Sequence, residues 1–187
     1  DERKTTLAAV SASIEEGKLF DIEYRLPHKS MGYRWFQGRG AAIFDAHGNA
    51  SHFTGAIADI TDRKEAEEAL RANELRFRTV FNTAEVGITV AAPEGRILQA
   101  NPAILQMLGY DPEALPDINW QEITHPDDRD HNLLMHRELI EGRCEHYRLV
   151  KRYRRRDGDY FWVDATAAAQ RDMNGKLLYT VNVLIDI

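Results

Sequence analysis

One stretch of this chain is written twice. Shifted by 127 positions, Glu23–Ile60 lies on Val150–Ile187 without a gap. Nine positions coincide: Arg25/Arg152, Tyr33/Tyr160, Trp35/Trp162, Ala41/Ala168, Ala42/Ala169, Asp45/Asp172, Gly48/Gly175, Asp59/Asp186 and Ile60/Ile187. A shared Trp, a shared turn Gly and a shared Asp-Ile ending, all at one spacing, mark two copies of one folding unit.

Each copy reads as three strands joined by hairpins. In the second, Tyr147–Arg156 leads through Asp157-Gly158 to Tyr160–Gln170, then through Asn174-Gly175 to Leu177–Ile187. Asp-Gly and Asn-Gly between strand-like runs predict type I′ turns, whose two central residues both need positive φ. Met31-Gly32 and His47-Gly48 stand at the matching places of the first copy.

Upstream the copies differ. The second is preceded by two short strands, Val86–Ala92 and Arg96–Ala100, and by a helix Pro102–Leu108 that Asn101 opens and Gly109 ends. A short turn at Asp111-Pro112, closed by Pro116, and another at Trp120–Ile123 come next. After His125-Pro126-Asp127-Asp128 a helix runs through Ile140, with Leu133, Leu134, His136, Leu139 and Ile140 on its buried face. The first copy has only Asp1–Gly17 ahead of its strands, a stretch similar to Asp127–Gly142. The expected fold class is therefore α+β: a five-stranded antiparallel sheet with helices on one face, preceded by a linker helix and a partial unit. The boundaries fall at residues 1–60, 61–82 and 83–187.

Between the copies, Thr61-Asp62 can cap a helix running to about Asn82, with Glu65 placed for a capping box from Asp62. Ala66, Leu70, Asn73, Phe77 and Val80 recur at heptad spacing, and a lone Asn in such a seam sets register and oligomer state. A homodimer through Asp62–Asn82 is the expectation. A second contact is expected at the strand edge Ser51–Thr61, which has no first strand to pair with.

Composition narrows the partners. The net charge of −6 argues against nucleic acid, and no apolar run reaches the length of a membrane span. The single cysteine, Cys144, rules out an internal disulfide and reads as a reduced cytosolic thiol. A cytoplasmic location is expected, with membrane anchoring of a parent protein left open. The basic run Lys151–Arg156 lies on an expected edge strand, where Lys and Arg discourage pairing with other chains.

Ala100-Asn101-Pro102-Ala103 with Leu108-Gly109-Tyr110 resembles the opening motif of the PAS family of sensory domains. Ile123-Thr124-His125-Pro126-Asp127-Asp128 resembles its HPDD loop. Tyr33-Arg34-Trp35 and Tyr160-Phe161-Trp162 resemble its C-terminal motif, and Asp59-Ile60-Thr61 its closing DIT. The resemblance implies sheet order 2-1-5-4-3 and a cavity between sheet and helices. It also implies a sensory, non-catalytic module that relays to an output domain outside this chain, a histidine kinase or a diguanylate cyclase. Two alternatives stay open: a protein-interaction scaffold with a filled cavity, and a haem-based gas or redox sensor.

Strand alternation together with the family pattern turns Phe161, Val163, Ala165, Thr180, Asn182 and Leu184 inward, and Trp162 and Asp164 outward. Phe161, Val163, Asn182, Leu184, Arg152 and His136 are the pocket candidates. Asn182 reads more simply as a buried amide satisfied by backbone, while a contact of Arg152 or Arg154 with a carboxylate ligand stays open. The flavin motif Asn-Cys-Arg-Phe is absent, and Val163 and Leu184 stand where flavin binders carry Asn and Gln. For haem, His131 resembles the proximal-ligand position best, although most helix histidines are not ligands.

Overall fold

The computed structural model describes residues 6–8, 11–12, 15, 19–29 and 32–187, with only the backbone of 115–117. Most of Asp1–Gly17 and the turn residue Met31 lie outside the described residues; 6–8, 11–12 and 15 are helical. The chain divides into two compact units, Asp1–Leu75 and Arg76–Ile187.

The first unit holds an antiparallel sheet of β1 (Phe20–His28), β2 (Gly32–Phe44) and β3 (Ala50–Asp59), in that order. Ile60 is its one buried hydrophobic residue among those described. Every residue of β3 is exposed. Helix α1 (Thr61–Thr83) follows, and the division between the units falls within it. Its first turn is held by Asp59 rather than by the expected capping box: the carboxylate accepts from the Thr61 amide at 3.0 Å and from its hydroxyl at 2.6 Å. The Trp35 amide donates to Thr61 Oγ1 at 3.0 Å. Those bonds explain why Asp59-Ile60-Thr61 occurs as a block. Glu23 draws Arg63 and Lys64 of the same turn onto β1.

The second unit contains β4 (Gly87–Ala91), β5 (Ile97–Ala100), α2 (Pro102–Leu108), a 3-10 turn (Pro112–Asp117), α3 (Trp120–Ile123), α4 (Pro126–Ile140), β6 (His146–Arg154), β7 (Tyr160–Arg171) and β8 (Leu177–Asp186). Its sheet runs β5-β4-β8-β7-β6, all antiparallel, which is the expected 2-1-5-4-3. The 3-10 turn continues past Pro116 instead of stopping there. The core gathers Ile97, Ile104, Leu108, Trp120, Ile123, Phe161, Val163 and Leu184. Each such side chain contributes about 1.5–3 kcal/mol on burial. On α4 the buried face is Asn132, His136 and Leu139, with Leu133 half-buried; Leu134 is 53% exposed, against expectation.

The hairpins differ from type I′. Only glycines take positive φ, Gly158 at 101° and Gly175 at 81°. The Gly175 amide donates to Asp172 O at 3.0 Å, and Asp172 Oδ1 accepts from the Asn174 and Lys176 amides, both at 2.9 Å. The loop is thus a three-residue turn closed by a left-handed Gly. The first copy builds the same loop, with Gly48 donating to Asp45 O at 3.0 Å and Asp45 Oδ1 accepting from His47 and Asn49. The loop needs a carboxylate at its start and a Gly at its end, which is why Asp45/Asp172 and Gly48/Gly175 coincide. Likewise Trp35 O and Trp162 O accept from Ile60 and Ile187, closing the two sheets in the same way.

Candidate functional site

The second unit encloses a cavity of about 20 Å³. Thr89 and Ile97 face it from β4 and β5, Ile104 and Leu108 from α2, and Trp120 and Ile123 from α3. Tyr147, Lys151 and Tyr153 close it from β6, and Asn182 and Leu184 from β8. Room for a water begins at about 10–15 Å³, so this space holds one water-sized guest and little more.

Local structure positions the walls. Asn101, fully buried, opens α2: its Oδ1 accepts from Ile104 N at 3.1 Å and Ile88 N at 2.9 Å, and its Nδ2 donates to Val86 O at 2.9 Å. One side chain thereby caps a helix and ties it to β4. His125 caps α4, its Nδ1 accepting from Asp127 N at 3.2 Å, with its ring edge against Tyr160. Asp128 of the same loop accepts from Arg152 N at 2.8 Å and from Arg152 Nε at 2.9 Å, fastening α4 to β6. The Arg152 guanidinium beside it holds the Asp128 carboxyl below the usual carboxylate range.

The sequence candidates separate into three groups. Asn182 and Leu184 line the cavity. Asn182 is satisfied by side chains rather than by backbone, with Nδ2 3.2 Å from Thr89 Oγ1 and 3.5 Å from Thr180 Oγ1. Phe161 and Val163 are buried core residues outside the lining. Arg152, on the opposite face of β6, is bound to Asp127 and Asp128 and lies over Trp162, so it is not positioned to meet a ligand in the cavity. His136 is buried with Nε2 2.8 Å from Pro93 O and its ring against Trp120; burial pushes its pKa down. His131 is exposed on α4. Cofactor pockets usually measure some 300–1,000 Å³. An exposed His131, an engaged His136 and a water-sized cavity therefore do not fit a haem, and the volume does not fit a flavin.

Lys151 is what the sequence reading misplaced. It was expected on a solvated edge, but it is only 4% exposed and faces the cavity. Its Nζ lies 5.1 Å from the Trp120 ring and 4.4 Å from the Tyr153 ring. Burial lowers its pKa to about 7, against a smaller opposing pull from Asp128. Burial likewise pushes the Tyr147 and Tyr153 phenols up, so both remain protonated. The signal that could have found Lys151 was alternation: Tyr147, Leu149, Lys151 and Tyr153 share one face of β6, and the two tyrosines are core residues.

A five-stranded antiparallel sheet carrying helices over a small internal cavity, preceded in the chain by a three-stranded sheet with the same hairpin order, defines an α+β chain. The profile described as the PAS fold matches residues 1–57 and 97–184, and the chain belongs to that family. It is 32% identical, over 67% of its length, to 11% of the probable diguanylate cyclase DgcE of Escherichia coli. It is 29% identical, over 59% of its length, to 22% of the sensor protein FixL of Bradyrhizobium diazoefficiens. The chain thus spans between about a tenth and a quarter of these curated relatives. Its fold matches the PAS domain of a protein from Colwellia psychrerythraea at TM-score 0.55 and 18% identity, over 60% of this chain and 94% of that one. No helix among the described residues is long and apolar enough to cross a membrane.

Proposed function

We propose that this chain is a sensory and dimerisation module. The second unit responds to a small ligand or a conformational input, and α1 carries the change between copies of the module and onward to an output domain of histidine kinase or diguanylate cyclase type. The relatives supply the class of output, as sensor protein and probable cyclase. The module itself performs no chemistry in this reading.

The observation that carries the proposal is the exposed stripe on α1: Leu70 is 71%, Phe77 54% and Val80 61% exposed. An apolar seam at heptad spacing with Asn73 within it suits a second copy of the same helix. The free edge of β3 supports the same partner. Its counterpart β8 is covered by β4, whereas β3 pairs with β2 alone among the described residues. A second reading, an interaction scaffold with a filled cavity, draws support from the cavity's small volume. Sedimentation of the 187-residue chain tests the dimer. A wild-type dimer that L70E/F77E converts to monomer is expected; a wild-type monomer, or a dimer untouched by L70E/F77E and by F53K/I57K on β3, would refute it.

A further inference from the structure

The two copies treat their closing aspartate differently. In the first, Asp59 Oδ2 pairs with Arg34 of β2 at 2.9 Å, and its Oδ1 holds the first turn of α1. At the shift of 127, Phe161 stands in the place of Arg34, and Arg155 in the place of His28. Asp186 still meets an arginine, but one from just past the end of β6. Arg155 Nη2 donates to Asp186 Oδ2 at 3.0 Å, and its guanidinium carbon lies 3.9 Å from the centre of the Phe161 ring. Nη1 of the same group donates to Met107 O in the last turn of α2. The next carbonyl of that helix, Leu108 O, accepts from the Arg156 amide at 2.9 Å. The last carbonyls of a helix have no partner within it, so these bonds fix where α2 ends. No counterpart of α2 stands in the first unit among the described residues.

We propose that Arg155 is a positioning residue that couples α2 to the Asp186 carboxylate, a link the second copy has in place of the Arg34–Asp59 pair of the first. The inference rests on the second unit relaying a change, and it names the contact through which α2 and the close of β8 sense each other. The ground is the shape of the guanidinium. Its nitrogens form a rigid planar fork, so Nη1 and Nη2 move together. Lying against Phe161, the fork cannot follow a shift of Met107 O without changing its geometry at Asp186, and such coupling is reciprocal. Leu108, next to Met107, is a core residue, so a repacking of the core under α2 moves the carbonyl that Arg155 holds. A lysine carries its charge on a single nitrogen and does not reproduce the fork.

The test is a double-mutant cycle on the full chain, read by hydrogen exchange at the Gly109 and Tyr110 amides, which both donate to Leu105 O at the end of α2. D186N should speed their exchange about two- to fivefold, the effect of one half-exposed charge pair. In an R155Q background, D186N should change it no further. R155K should behave as R155Q does, although it keeps the charge. D164N, which removes the surface pair with Arg148 on β6 and β7, is the control and should leave both amides unchanged. The coupling is overturned by D186N without effect at α2, by additive effects of D186N and R155Q, by an R155K chain in which D186N still acts at α2, or by an equal response to D164N. Sedimentation of the same variants separates this from the dimer proposal, since Arg155 and Asp186 lie outside α1 and β3 and their substitution leaves the oligomeric state as it was.

Discussion

Replacing Lys151 by Met should stabilise the second unit, although it removes a residue buried in the core. The unfolded lysine keeps its proton to 10.5, whereas in the folded unit the pKa is about 7. At about 1.4 kcal/mol per unit, that difference amounts to about 5 kcal/mol of disfavoured charge. The sign follows from proton counting. Between about 7 and 10.5 the unfolded chain holds more protons, so the stability of the wild type rises with pH across that window. Below about 7 both states are protonated and the full penalty stands. Methionine has no proton to lose, so its advantage is largest at acid and neutral pH and disappears above 10.5. Losing the contacts of the cation with Trp120 and Tyr153 offsets part of the gain, about 0.5–2 kcal/mol each. A net stabilisation of about 1–4 kcal/mol remains, the range seen when buried charges become apolar. Native-state hydrogen exchange at the amides of β7 and β8 measures the second unit alone. A K151M variant that is destabilised, or whose pH dependence matches the wild type, would refute the reasoning.

Other perturbations probe the scaffold around the cavity. Asp128→Asn should cost about 1–3 kcal/mol at neutral pH, because three bonds from Arg152 lose their charged acceptor. The Asp128 contribution is present above its unfolded value near 3.8 and is lost as pH falls through the lower folded value; acid titration of wild type and variant should therefore converge only below that point. Asn101→Ala should cost about 3 kcal/mol and loosen α2 from β4, read as faster exchange at Ile88 and Ile104, since two amides and a carbonyl lose their buried partner. Asp172→Ala should cost about 1–2 kcal/mol and shift the resonances of Asn174 and Lys176, whose amides it holds.

Much of the fold was legible in the chain itself because it depends on local rules. The repeat located both sheets, and Asn101-Pro102 and Gly109 bounded α2 to the residue, since capping acts within a turn. Alternation placed Phe161, Val163 and Leu184 inward, and they are buried. Local rules failed where a partner lay far away in sequence. Asp157-Gly158 suggested a type I′ turn, yet the strand register closes a longer loop with only the Gly at positive φ. Asp62 looked like the cap of α1, but Asp59 and Trp35 meet Thr61 first, the tryptophan from 26 residues upstream.

The candidate site shows the division most clearly. The chain by itself determined that β6 alternates, and so that Lys151 and Arg152 must point to opposite faces. Which face met the helices was decided only by packing. Trp120 and Ile123, together with Tyr153, enclosed Lys151, while Asp128 at the head of α4 was left to take Arg152. The run of like charges looked uniform as a string of letters, but burial depends on the surroundings of each side chain in space. One cation of that run therefore entered the core without a counterion, and its neighbour became a clamp on the surface.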